Sequence, residues 1–212
     1  LKKTHERYAD VFAKLGYPID LTKHQFAVRK VISAKTQEII GLSSKKFIGV
    51  APFAAHRGKM YPLQLIKQVI AQLSNSGDYA VFLFGGGATE TAKLDKLASD
   101  FKGVTNMAGK LSFSQELQLI SNLDVMLAMD SGNGHLAALY DIEVLTIWGV
   151  THPFLGFAPF NQPNENQLLA DRTKYPLVPT SVYGNTYPDG YEKAIETISP
   201  SAIVEKVLSI LK

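Results

Sequence analysis

"DVMLAMDSGNGHLAAL", residues Asp124 to Leu139, changes rhythm halfway along. Its first half is an unbroken apolar run that stops at Asp130. From about Gly132 to Tyr140 apolar residues return at helical spacing. A short buried strand that passes straight into a helix is the basic unit of a layered α/β sheet, and the same unit recurs along the chain. "KFIGVAPF" (Lys46 to Phe53), "YAVFLFGG" (Tyr79 to Gly86) and "EVLTIWG" (Glu143 to Gly149) are short runs rich in Val, Ile, Phe and Leu, each bounded by Gly, Pro or Asp.

Helical patterns fill the intervals. One runs through Leu63, Ile66, Ile70 and Leu73, another through Leu94, Leu97, Ala98 and Phe101, and a third through Leu117 and Ile120. The third has Ser112 and Gln115 at capping-box spacing. Strands separated by helices of this length predict a doubly wound, Rossmann-like parallel sheet, because a parallel crossover needs a helix to return the chain. Ligands of such sheets bind at the carboxyl ends of the strands. Three strand-ending loops carry polar motifs there: "APFAAHRGKMYP", "GGGATE" and "MDSGNGH".

At the chain ends, "LKKTHERYADVFAKLGYPID" reads as a helix with a Gly-Tyr-Pro stop, its apolar stripe being Tyr8, Val11, Phe12 and Leu15. Gly149 to Tyr191 is loop-rich and holds six of the ten prolines. In the last segment Ser199 is a helix cap, Pro200 the first helical residue, and Val204, Val207, Leu208 and Leu211 share one face. The exposed stripes of the first and last helices suggest packing against a further domain.

Composition narrows the class. The 212 residues are 46% hydrophobic and 19% charged with a net charge of +3, which suits a globular protein rather than a disordered or nucleic-acid-coating one. No apolar run reaches the roughly 18 residues of a membrane span. Cysteine is absent, so disulfides, thiolate metal sites and thiol nucleophiles are excluded.

The "MDSGNGH" motif can be read as an anion site. With Asp130 as N-cap, the free amides of the first helical turn face the crevice, Gly132 admits a phosphate to the backbone, Ser131 adds a hydroxyl, and His135 projects from the same face. A pure capping role for Asp130 and Ser131, with His135 a satisfied imidazole, accounts for the same residues. In the first loop His56, Arg57 and Lys59 form a basic cluster, and Lys59, just before the helix that Pro62 opens, reaches a phosphate as a mobile point charge. In the glycine loop Gly85 and Gly87 fit a dinucleotide fingerprint but Glu90 occupies its third glycine position, which argues against a dehydrogenase. Thr89 or Glu90 can hydrogen-bond a ribose, or simply open a helix where acids are favoured.

Taken in order, "APF...KMYP", "FLFGGGATE", "NMAGKLSFSQELQLISNLDVMLAMDSGNGHLAAL" and "VLTIWGVTHP" resemble the C-terminal half of the family 9 glycosyltransferases, the ADP-heptose:lipopolysaccharide heptosyltransferases. The likeness is clearest from Lys46 to Pro153. It implies the C-terminal domain of a GT-B glycosyltransferase. Residues 1–25 would be a linker helix from an N-terminal domain, 26–198 the nucleotide-sugar-binding domain, and 199–212 a helix packing back toward the N-terminal domain. It further implies that Lys59 touches the donor phosphates, Ser131 and Gly132 the pyrophosphate, and Asp130 and His135 the sugar and phosphates. Met107 to Gly109 and the Gly85 to Glu90 loop would flank adenine and ribose. Where relatives carry cysteines, Thr180 and Ala194 stand.

The implied reaction is inverting transfer of heptose from ADP-heptose to lipopolysaccharide core, without metal or cofactor and with the catalytic base in the N-terminal domain. The site would be cytoplasmic, at the inner face of the inner membrane, with no nucleic-acid partner. Other readings are a UDP-sugar transferase, a sugar-nucleotide 2-epimerase, or a non-catalytic nucleotide-binding module.

Overall fold

The structure is a computed structural model that describes residues 1–41 and 44–212. Six parallel strands form one sheet: β1 (Lys46–Ala51), β2 (Tyr79–Leu83), β3 (Val104–Asn106), β4 (Val125–Met129), β5 (Val144–Trp148) and β6 (Gln167–Leu169), in the order β3-β2-β1-β4-β5-β6. β1 sits at the centre, with Ile48 opposite Val81 of β2 and Val125 of β4. Its neighbours are buried on both faces, which explains their continuous apolar runs.

The helices are α1 (Thr4–Lys14), α2 (Ala34–Ile40), α3 (Leu63–Asn75), α4 (Gly87–Ser99), α5 (Phe113–Ile120), α6 (Gly132–Ala138) and α7 (Pro200–Ile210). The sheet divides the core. On one face α3, α4 and α7 bring Ile66, Ile70, Leu94, Ile203 and Val207 against Ile48, Val50, Val81 and Leu127. On the other, Leu119, Ile120, Ala137 and Ala138 of α5 and α6 meet Phe82, Met126 and Val144. Truncating a fully buried residue such as Ile70 to Ala costs about 2–5 kcal/mol.

Local chemistry sets the helix starts. Ser112 and Gln115 make the reciprocal capping box of α5, and the Ser199 hydroxyl accepts from the Ala202 amide with Pro200 at the first helical position of α7. Pro62 is the N-cap of α3 rather than its first helical residue. Three elements have no counterpart in the sequence reading: β3 and β6, each of three residues, and α2, capped by Ser33.

The stripe of α1 is exposed as expected, with Tyr8 at 64%. The last helix differs. Val204, Val207 and Leu211 are buried in the core beside α3, so the apolar face expected to be free is covered within this chain. Among the described residues no helix is long and apolar enough to cross a membrane.

Candidate functional site

β1 and β4 are neighbours, but the chain leaves them toward opposite faces of the sheet, through α3 and α6 respectively. Their carboxyl ends therefore border the crevice where strand order reverses, the usual ligand position in such sheets. The Lys59 loop follows β1 and the Asp130 turn follows β4, so both reach this crevice.

There Lys59 Nζ lies 2.8 Å from Asp130 Oδ2, with the two side chains 13% and 7% exposed. The Thr151 hydroxyl donates to the same carboxylate oxygen at 2.9 Å. Lys59 is thus not the mobile point charge expected from sequence. Gly58, in its short 3-10 turn, accepts from the Val150 amide at the end of β5, and Gly184 packs over the lysine stem, where an added Cβ would come within 2.7 Å of Lys59 Cγ. The ammonium is held in place, and its remaining N–H donors are available to a ligand. Arg57 does not join it. It lines a cavity of about 690 Å³ between the starts of α3 and α4 that Lys59 does not reach, and which shares Phe53, Ala54, Gly86 and Glu90 with a neighbour of about 380 Å³, so Arg57 and Lys59 do not converge on one point.

The turn after β4 also differs from expectation. Ser131, not Asp130, is the N-cap of α6, and Gly132 is its first residue. Asp130 stands one position earlier, where its carboxylate is taken by Lys59 and Thr151. The Ser131 side chain makes no capping bond, and its hydroxyl is buried without a partner. Such a group costs about 1–3 kcal/mol unless something completes it. His135 borders the same space. Burial holds its imidazole below the ordinary value, the Asp130 carboxylate works against that shift, and Lys59 adds to it.

Cavities with shared walls follow one another along the crevice, the one at the Arg57 end being the cavity of about 690 Å³. The one that holds the ion pair, about 320 Å³, is lined by Lys59, Asp130, Ser131, Gly132 and His135. It shares Ala55, Ser131 and Gly132 with one of about 380 Å³ that is walled by Phe53, Phe84, Gly85, Glu90 and Glu116. On its other side it shares His135 and Phe157 with one of about 300 Å³ against α1.

The remaining expected residues distribute unevenly. Glu90 lines both the 380 Å³ and the 690 Å³ cavities, but one carboxylate oxygen accepts from the Gly86 amide at 2.8 Å, so it also closes the start of α4. Thr89 lies in that helix and lines the larger cavity beside Arg57. Met107 is 2% exposed and packs in the core with Phe82 and Phe84. Neither it nor Gly109 lines these cavities. Sequence reasoning did not find Thr151, Gly184 or Glu116, the last a carboxyl raised by burial on the wall of the 380 Å³ cavity. Among the described residues no group of three His, Asp or Glu is placed to hold a metal ion.

Comparison with known proteins supplies the context. The family model described as glycosyltransferase family 9 (heptosyltransferase) matches residues 2–186. Lipooligosaccharide heptosyltransferase 2 of Campylobacter jejuni is 25% identical over 175 residues, covering 80% of this chain and 52% of that protein. Lipopolysaccharide heptosyltransferase 2 of Salmonella typhimurium is 28% identical over 176 residues, covering 80% and 48%. The chain therefore spans about half the length of the curated relatives it matches.

Among solved structures, the glycosyl transferase family 9 protein of Veillonella parvula superposes with a TM-score of 0.74 at 16% identity, over 99% of this chain and 60% of that one. E. coli heptosyltransferase WaaC with ADP gives 0.63 at 20%, over 97% and 56%. These likenesses show a shared fold, the Rossmann-like parallel sheet of GT-B heptosyltransferases.

Proposed function

The chain belongs to glycosyltransferase family 9, and from that premise we propose that it is the donor-binding part of an inverting, metal-independent enzyme that transfers heptose from ADP-heptose to lipopolysaccharide core. The observation that carries the reading is the Lys59–Asp130 pair beside the Ser131–Gly132 turn, at the sheet's switch point and in a cavity that adjoins others along the crevice. The family match favours this over a 2-epimerase or a non-catalytic module.

Breaking the anomeric C–O bond leaves the electron pair on the diphosphate. Donors already aimed at that oxygen lower the barrier without reorganising. Lys59 keeps one contact to Asp130 and offers its other protons to the phosphates, while Ser131 and Gly132 offer amides. Because Asp130 neutralises the lysine, the site selects by donor geometry more than by bare charge.

The adjoining cavity with Glu90 and Glu116 suits a nucleoside, the free oxygen of Glu90 accepting from ribose hydroxyls. Asp130, held by two partners, is poorly placed to take the acceptor's proton. We assign the base to a domain outside these residues, with 1–25 as the linker to it, 26–198 as the donor domain and 199–212 as the closing helix. The acceptor, a glycolipid, places the work at the cytoplasmic face of the inner membrane.

Calorimetric titration with ADP and UDP tests the reading. ADP is expected to bind and UDP to bind more weakly. Binding of neither, or a preference for UDP, sinks it.

A further inference from the structure

Phe157 lines the chamber of the ion pair and belongs to the loop after β5, on which α1 rests. The Thr4 amide donates to Gly156 O at 2.8 Å, and Arg7 supplies the side-chain part of the contact. Arg7 Nη2 donates to Leu155 O at 2.9 Å and Arg7 Nε to Lys2 O at 2.8 Å, so two carbonyls fix the plane of the guanidinium. Its Cζ lies 5.8 Å from the centre of the Phe157 ring, within cation–π range. Neither nearby acid draws it away. Asp10 is taken by Lys2, and Glu6 accepts from the Lys3 amide. The fit is close, since a Cβ on Gly156 would come within 2.7 Å of Arg7 Nη2.

From Phe157 the contacts continue toward the lysine. The ring meets that of Tyr183 with centres 5.9 Å apart, a separation at which aromatic rings attract. Tyr183 precedes Gly184, whose backbone lies against the stem of Lys59. The turn that carries both is closed on itself, with the Thr180 hydroxyl donating to Thr186 O and the Thr186 amide to Ser181 Oγ. It therefore shifts as a unit. One end is tied to the sheet, where the Thr180 amide donates to Val150 O. At the tip Val182 and Tyr183 are 47% and 62% exposed, so core packing does not fix it and the ring contact with Phe157 matters.

We propose that Arg7 is a positioning residue for Lys59. By holding Phe157 it sets the Val182–Gly184 turn, and through that turn the place of the ammonium that meets the diphosphate. Arg7 lines none of the cavities along the crevice, so it acts without touching the nucleotide. This rests on the functional reading above. An arginine is the residue suited to the task, because its planar fork bonds two carbonyls while its face stays against a ring.

The test is calorimetry of ADP, with adenosine measured by competition, on the chain and on its Arg7→Gln, Tyr183→Ala and doubly substituted variants. Arg7→Gln is expected to weaken ADP by about three- to fivefold and adenosine by less than about twofold, because adenosine brings no phosphate to Lys59. The double variant should bind ADP no more weakly than Tyr183→Ala alone, since both substitutions cut the same line of contacts. A merely structural role for Arg7 gives neither result. Arg7→Lys, which keeps the charge and loses the fork, is the milder cut and should show the same preference for ADP loss to a smaller degree. Equal loss of ADP and adenosine, unchanged ADP affinity in Arg7→Gln, or additive losses in the double variant overturn the positioning role and leave the nucleotide reading standing. Failure of the unaltered chain to bind ADP overturns both.

Discussion

Lys59 Nζ and Asp130 Oδ2 stand 2.8 Å apart across the crevice between β1 and β4, nearly shut off from water. The pair joins two loops that are about seventy residues apart in sequence. Removing one partner of a buried pair leaves the other unpaired, at a cost of about 3–5 kcal/mol. The partial exposure of Lys59 places this pair at the lower end. Lys59→Ala is therefore expected to lose about 3 kcal/mol in urea unfolding, and a further about 1–3 kcal/mol of ADP affinity from the lost charge-assisted bond. Lys59→Met combined with Asp130→Asn should recover much of the stability and none of the affinity. If the double variant binds ADP normally, the phosphates are held elsewhere.

Gly184 is expected to be nearly as sensitive as the lysine it covers. Its φ of +73° is a left-handed conformation, and a Cβ would press on Lys59 Cγ and Cδ and on Thr151 Cγ2. Gly184→Ala therefore costs about 1–2 kcal/mol from backbone conformation alone. It also tilts the ammonium away from Asp130. A fall in both melting temperature and ADP affinity is expected. A loss of stability with unchanged ADP affinity would show that the lysine keeps its place without this lid.

These two cases show what could be read from sequence. The four long strands and the helices between them were legible because continuous apolar runs and helical spacing are local properties. β3 and β6 were not, since three residues carry no period, and they are defined only by pairing with β2 and β5. The positions of Lys59 and Asp130 were legible from strand ends, but their mutual pairing was not, because sequence gives no distance between two loops. Asp130 looked like a cap for the same reason: an acid just before Ser131 and Gly132 at a helix start is a cap unless a lysine from the loop after another strand claims it. Thr151 and Gly184 matter only through that lysine, and nothing local marks them.

Glu90 and Lys59 should separate by ligand. Glu90→Gln keeps an oxygen that can accept from the Gly86 amide, so α4 stays capped while the negative charge is lost. If its free oxygen holds ribose hydroxyls, adenosine and ADP should both weaken by about 1–2 kcal/mol. Lys59→Ala should weaken ADP and leave adenosine unchanged. Competition titrations with the two ligands check this, and an adenosine affinity that ignores Glu90 moves the ribose to another wall.

Acid should loosen the fold through its imidazoles. His135, His5 and His152 are all held below the ordinary value of 6.5, each mainly by burial, with His5 also repelled by Lys3 and His152 by Arg172. In the window between the lowered folded values and 6.5, the unfolded chain binds more protons than the folded one. The stability these groups supply is complete above pH 6.5 and is lost as pH falls through their folded values. Melting temperature is expected to drop as pH falls below 6.5. His135→Gln should flatten that slope in part, because it removes one of the three groups. The Asp130 carboxylate opposes the shift of His135, so Asp130→Asn should lower the His135 value further. An NMR titration of the His135 ring in the two forms decides the sign, and an upward move in the asparagine variant would mean that the carboxylate and imidazole do not sense each other across the chamber.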